Sequence, residues 1–150
     1  MTTRVGTRAT TVPGRGDQMP WLSGPTPEGT TLKTRSYYMR RNLALVFTGD
    51  GEHAQDWAAE AASVRPAAHE EAGEVVVIAP PGVDVGITPD IIDHDDVIAA
   101  SVGLTVEDLP ALFITDRFGT IFAANRGAGA EDIRPDDIPG WLEFVACRCT

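Results

Sequence analysis

The two cysteines of the chain lie two residues apart near its carboxyl terminus, where Cys147 and Cys149 flank Arg148. A disulfide between cysteines at this spacing closes a small, strained ring, and strain makes a disulfide easier to reduce. The neighbouring guanidinium favours the thiolate, which is the reactive form of a cysteine. Because residues two apart on a helix point to different sides, the pair has to lie beyond a helix end. The spacing predicts a redox-active dithiol with Cys147 and Cys149 as catalytic residues; the alternative is an inert tail with two exposed thiols.

A metal centre is the other chemistry that paired thiols support. A structural zinc or an iron–sulfur cluster takes four ligands, and this pair supplies two of them. Such a site would have to be shared with a partner chain or completed by histidines. The sequence alone therefore assigns no metal ligand and no cofactor.

A second group of reactive side chains lies in residues 48–54, directly after an apolar run. Thr48, Glu52 and His53 stand in this segment, and an imidazole beside carboxylates can act as a base, a metal ligand or a proton-sensitive contact. The alternative is an ordinary helix start, where threonine and histidine serve the backbone. We expect Thr48, Glu52 and His53 to line a binding groove. A similar acidic run at residues 90–96, which includes His94, favours a solvated turn and helix cap.

These side chains must be positioned by the apolar runs around them. Residues 43–47 and 74–79 are continuous apolar segments, which is typical of parallel strands buried on both faces. Residues 52–72 between them have helical spacing, and Pro66 is expected to kink or divide that helix. The segment forms a strand–helix–strand crossover.

The second half of the chain predicts a hairpin and two helices. Pro110 leads into a strand at 111–115, a tight turn follows at 116–119, and a partner strand runs over 120–124. Residues 93–102 predict a short helix with Val97, Ile98 and Val102 towards the core, and a last helix carries Trp141 and Leu142. With a short hairpin expected over residues 20–32, the fold class is α/β, with a central mixed sheet flanked by helices.

A set of short motifs follows in a fixed order along the chain: Gly16–Asp17, Pro20–Trp21, Gly29, Thr30–Leu32, Arg40–Arg41 before the strand at 43–47, and Leu109–Pro110. By the order and spacing of these motifs, the chain resembles the peroxiredoxin and thiol-specific-antioxidant (redoxin) branch of the thioredoxin superfamily, which includes the alkyl hydroperoxide reductases. The resemblance covers about residues 16–146. It implies a thioredoxin-like fold, an antioxidant or oxidoreductase activity, and a cis peptide bond before Pro110, which shapes the groove.

The chain departs from that family at the site of its chemistry. Family members carry a nucleophilic cysteine at a helix start after the first central strand, and residues 48–54 contain none. Peroxide reduction by the family mechanism is therefore unavailable. Three hypotheses follow: thiol–disulfide exchange through Cys147 and Cys149, a non-catalytic module that holds an extended peptide between residues 48–54 and Pro110, and a metal site shared with a partner at the carboxyl-terminal cysteines.

The length and charge of the chain predict its domain organisation, its partners and its location. The chain has 150 residues, of which 43% are hydrophobic, so we expect a disordered lead-in at 1–15 and one domain at 16–150. The net charge is −10, with seven basic and two acidic groups in residues 1–42, so that segment carries +5 and the rest −15. An acidic body argues against nucleic acid and membrane partners, and the basic segment either lies on its own domain or meets an acidic partner. Without an apolar span or a leader, we expect a cytoplasmic protein with a protein thiol or disulfide as partner; a homodimer stays open.

Overall fold

A computed structural model describes residues 11–82, 86–127 and 133–148. The lead-in up to residue 10 and Cys149 lie outside these ranges. The strands in chain order are β1 (Ser23–Pro25), β2 (Thr31–Lys33), β3 (Asn42–Phe47), β4 (Gly73–Ala79), β5 (Ile91–Ile92), β6 (Ala111–Thr115) and β7 (Ile121–Arg126). The α-helices are α1 (Ala54–Glu70), α2 (Val97–Ser101) and α3 (Ile138–Arg148).

The central sheet has the strand order β5-β4-β3-β6-β7. β3 pairs in parallel with β4 and antiparallel with β6, so the sheet is mixed as the sequence predicted. All six residues of β3 are buried, which explains why its sequence is a continuous apolar run. The expected amino-terminal hairpin is confirmed as the pair β1 and β2.

The two faces of the sheet are covered by different elements. Leu43, Leu45 and Phe47 point to a core shared with α2 and the amino-terminal segment. Ala44 and Val46 point to a second core with α1 and α3. The alternation along β3 thus divides the apolar side chains between two layers.

Helix α1 runs without a break for 17 residues, although Pro66 lies inside it. The expected kink or division at Pro66 is therefore wrong. A proline lacks the N–H that would bond the Ala62 carbonyl, but Pro66 is exposed, so solvent can reach this carbonyl. Packing of Trp57, Ala61 and Ala68 against the sheet holds the helix on both sides of the proline.

The acidic run before α2 has a structural role, as the sequence favoured. Asp93 is buried, and its two carboxylate oxygens accept hydrogen bonds from the N–H groups of Ile98 at 2.7 Å and Ala99 at 2.9 Å. Val97 is 64% exposed, so the expectation that it faces the core is wrong. The left-handed backbone at Asp95 and Asp96 turns the chain just before the helix and changes which face is inward.

Residues 11–19 lie against the domain. Val12 packs on the core beneath α2, and Gly16 and Asp17 exchange backbone hydrogen bonds with Ile121 of β7 at 2.8 and 2.9 Å. Residues 11–15, which the sequence placed in the lead-in, therefore contact the folded domain. Among the described residues, no helix is both long and apolar enough to span a bilayer.

Candidate functional site

The loop that follows β3 carries three of the predicted site residues. Thr48 is 1% exposed; its N–H donates to the Ile78 carbonyl at 3.0 Å, and its hydroxyl donates to the Gly49 carbonyl at 2.9 Å. Both polar groups of Thr48 are thus used inside the protein. Thr48 supports the loop rather than lining its surface.

Pro110 lies directly beside this loop. The Leu109–Pro110 peptide bond is cis, as the resemblance implied, and Pro110 is buried at the entry to β6. Because Ala111 pairs with Phe47, the residue before it meets the chain that leaves the end of β3. The fold thus brings Pro110 and residues 48–53 to the same end of the sheet.

Gly49 makes the contact between the loop and the hairpin. Its φ is +67°, a left-handed conformation that favours glycine, and an added Cβ would lie 2.8 Å from the Leu109 Cβ. The sequence reasoning missed Gly49 and Leu109 as the residues that join the two segments. A glycine directly after a buried strand was the available signal.

Glu52 and His53 are the exposed members of the predicted groove. The His53 Nε2 lies 3.6 Å from a Glu52 carboxylate oxygen, with the side chains 48% and 87% exposed. A pair this open to solvent contributes little to stability. His53 is the first flanking residue of α1, but its side chain makes no capping hydrogen bond, so its imidazole faces solvent at the mouth of the loop.

Cys147 lies at the other end of the sheet. The Arg134 guanidinium, four residues before α3, bonds Glu60 at 2.6 Å and lies over the Trp57 ring near the start of α1. Leu142, further along α3, packs against Gly73, which pairs with Asn42 at the start of β3. Helix α3 therefore runs towards the beginning of β3, and Cys147 lies beyond that point.

The predicted site residues consequently divide into two groups. β3 has six residues, and strands rise about 3.3 Å per residue, so its ends are about 17 Å apart. Thr48, Glu52, His53 and Pro110 lie at one end, and exposed Cys147 lies on the last turn of α3 at the other. Cys147 is therefore not part of the group of side chains at the loop.

The described residues contain no group of three or more histidine, cysteine, aspartate or glutamate side chains arranged to hold a metal ion. The Arg148 guanidinium next to Cys147 lies 4.8 Å over the Phe144 ring. This contact fixes a positive charge on the last turn of α3.

Neither a protein-family model nor a curated protein matches the sequence. Solved structures do match. The thioredoxin domain of a thiol-disulfide oxidoreductase from Bacteroides vulgatus is 15% identical, with a TM-score of 0.67 over 90% of this chain and 99% of that chain. A thiol:disulfide interchange protein from Bacteroides sp. is 14% identical, with a TM-score of 0.68 over 89% and 90%. The peroxidoxin BcpB from Mycobacterium tuberculosis is 14% identical, with a TM-score of 0.66 over 91% and 98%.

These likenesses establish a thioredoxin-like fold for the chain, with neighbours on both the interchange-protein and the peroxiredoxin side. At this level of identity they speak for the fold. The chemistry has to be argued from the side chains present.

Proposed function

We propose that this chain of thioredoxin-like fold is a thiol–disulfide oxidoreductase that works through a carboxyl-terminal dithiol, Cys147 and Cys149, instead of the loop after β3. The observation that carries the proposal is the exposure of Cys147 on the last turn of α3, two residues before the only other cysteine of the sequence. The sequence predicted that both cysteines lie beyond a helix end, but Cys147 lies within α3, so closing a ring with Cys149 requires the last turn around Cys147 and Arg148 to leave helical geometry.

The reaction is a disulfide exchange with a partner protein. The thiolate of one cysteine attacks a sulfur of the partner's disulfide, forms a mixed disulfide and expels the partner's other sulfur as a thiolate. The second cysteine then displaces the partner's remaining sulfur and closes the Cys147–Cys149 disulfide. The partner gains two electrons and two protons, and a low-molecular-weight thiol returns the dithiol to its reduced form.

A redox titration tests the proposal. Thiol content is measured across a series of glutathione buffers, with C147S, C149S and the cysteine-free double variant as controls. We expect a reversible two-electron transition between about −150 and −300 mV, seen as an intramolecular disulfide by mass and absent from all three variants. Glutathione adducts without an intramolecular disulfide would disprove dithiol chemistry.

A second candidate function is a non-catalytic peptide-binding module at the loop end of the sheet. The contact between Gly49 and Leu109, beside exposed His53, favours it because it holds the loop and the hairpin together as one surface. NMR titration of the cysteine-free variant with extended peptides tests this candidate. Shifts confined to residues 49–53 and 109–110 would support it, and their absence would exclude it.

A further inference from the structure

A cluster of exposed and half-buried aromatic, methionine and arginine side chains lies at the end of the sheet opposite to residues 48–53. Three chain segments meet there: the residues before β1, the turn between β2 and β3, and the turn between β6 and β7. We call it the arginine–aromatic patch, and it consists of Trp21, Arg35, Tyr38, Met39, Arg117 and Phe118.

The three rings of the patch are joined by consecutive edge-to-face contacts. The Tyr38 ring meets Trp21 edge to face at 5.7 Å and Phe118 at 6.1 Å. The Arg35 guanidinium lies 5.7 Å from the Tyr38 ring and the Arg117 guanidinium 5.1 Å from the Phe118 ring. Edge-to-face pairs and cation–π contacts hold the side chains in fixed positions, so their exposed surface is preorganised.

Met39, next to Tyr38 in the chain, is an exposed apolar member of the patch. It is 62% exposed, and its φ is +64°, a left-handed conformation that non-glycine residues rarely adopt. The Met39 N–H donates to the Arg117 carbonyl at 2.8 Å, which ties the turn to the neighbouring hairpin. The fold therefore maintains a strained backbone to present an apolar side chain to solvent, and strain of this kind is concentrated at functional sites.

The basic side chains of the amino-terminal segment, which include Arg35 of the patch, are not paired with the acidic groups of the domain in the described structure. Within the described part of the chain, none of Arg15, Lys33, Arg35, Arg40 and Arg41 takes part in an ion pair. Glu70 lines the same cavity as Arg40 and Arg41 but forms no ion pair with either. The positive charge of the amino-terminal segment is thus presented outward, on a chain whose net charge is −10.

We propose that the arginine–aromatic patch docks an acidic segment of a partner protein, with an apolar residue against Tyr38 and Met39 and carboxylates at Arg35 and Arg117. Tryptophan, tyrosine, methionine and arginine are the residues that interface cores favour. Arginine recognises carboxylates through paired, charge-assisted hydrogen bonds. Nucleic acid bases also stack on such rings, but a polynucleotide carries one negative charge per phosphate, so a protein of net charge −10 repels it more strongly than a short segment with a few carboxylates. This surface is independent of the dithiol proposal.

Selection of peptides on the full chain tests the proposal. A phage-displayed library of random peptides is selected against the protein, and the affinities of the enriched peptides are measured. We expect sequences rich in aspartate and glutamate around an apolar residue. Their binding should weaken by about tenfold or more in R35A/R117A and in Met39→Gly, and should change less than about twofold in R15A/R126A, which removes the same charge outside the patch.

Folding and the other outcomes are controlled separately. Glycine relieves the left-handed backbone, so Met39→Gly keeps the fold while it removes the apolar contact. The cysteine-free C147S/C149S variant should bind the peptides as wild type does, so failure of the dithiol proposal leaves this one intact. The proposal is wrong if no acidic peptides are enriched, if R15A/R126A weakens them equally, or if oligothymidylate binds the patch more tightly than they do.

Discussion

At the scale of single residues, the burial of the Asp93 carboxylate makes the free energy of unfolding depend on pH. Burial raises its pKa above the ordinary 3.8, and the N–H groups of Ile98 and Ala99 counter part of that rise by donating to it. Nearby Asp96 raises the pKa further, and His94 lowers it. The charged form of Asp93 is therefore disfavoured in the folded state compared with the unfolded chain.

We expect the free energy of unfolding of the wild type, minus that of Asp93→Asn, to fall as pH rises from about 3 to about 6. Because the folded pKa lies above the unfolded one, the stabilisation is complete below 3.8 and is lost as pH rises through the folded pKa. Each unit between the two pKa values corresponds to about 1.4 kcal/mol. Urea unfolding of both proteins over this pH range measures the difference, from which the titration of groups that do not interact with Asp93 cancels. A difference that stays flat or increases would contradict the burial argument.

At the scale of elements, the loop after β3 and the hairpin before β6 are coupled through Gly49. We expect Gly49→Ala to lower the free energy of unfolding by about 1–2 kcal/mol from the left-handed backbone alone, and further because the new Cβ would lie 2.8 Å from the Leu109 Cβ. Denaturant unfolding measures the loss. Gly51→Ala in the same loop is the matched control, since an added Cβ there meets nothing within 4 Å. Equal effects of the two changes would contradict a cost from both the left-handed backbone of Gly49 and its contact with Leu109.

Elements with strong local patterns could be predicted from the sequence. β3, β4 and the hairpin of β6 and β7 follow from continuous apolar runs and turn residues, and all are confirmed within a residue or two. Helix α1 was predicted in position but not in continuity, because packing against the sheet outweighs the local effect of Pro66. The exposure of Val97 depends on the left-handed backbone of the two aspartates before it, and the spacing of apolar residues does not predict such a backbone.

The candidate site was harder to predict than the elements. The meeting of residues 48–53 with Pro110 follows from the pairing of β3 with β6. The separation of Cys147 from that loop depends on the direction in which α3 crosses the sheet, and the apolar spacing of a helix does not define this direction. The arginine–aromatic patch could not be predicted, because its members come from three distant segments of the chain and no periodic pattern links them.

At the scale of the whole molecule, the charge is both large and unevenly distributed. The net charge is −10, and the carboxylates lie closer together in the folded protein than in the unfolded chain, so they repel one another more strongly there. The described ion pairs include only three that use an arginine. Repulsion is therefore only partly relieved within the described structure.

We expect added salt to stabilise the protein. Raising NaCl from 0.01 to 0.15 M shortens the screening length from about 30 Å to about 8 Å, and the free energy of unfolding at pH 7 should rise by about 1 kcal/mol, or about 2–4 °C in Tm. Calorimetry at both salt concentrations measures the shift. The same comparison at the isoelectric pH is the control, where the gain should disappear. A destabilisation by salt at pH 7 would mean that attractive pairs dominate the electrostatics.

The position of β3 in the middle of the sheet also determines how the chain is able to fold as it is synthesised. One edge of β3 pairs with β4, whose residues leave the ribosome about 30 positions later, and the other pairs with β6, where Leu43 meets Thr115. The unit from β3 to β4 can therefore assemble early, while the second edge of a fully apolar strand waits for the hairpin. During that interval the growing chain presents an unpaired strand edge that favours pairing with other chains, so the nascent protein is a candidate substrate for chaperones.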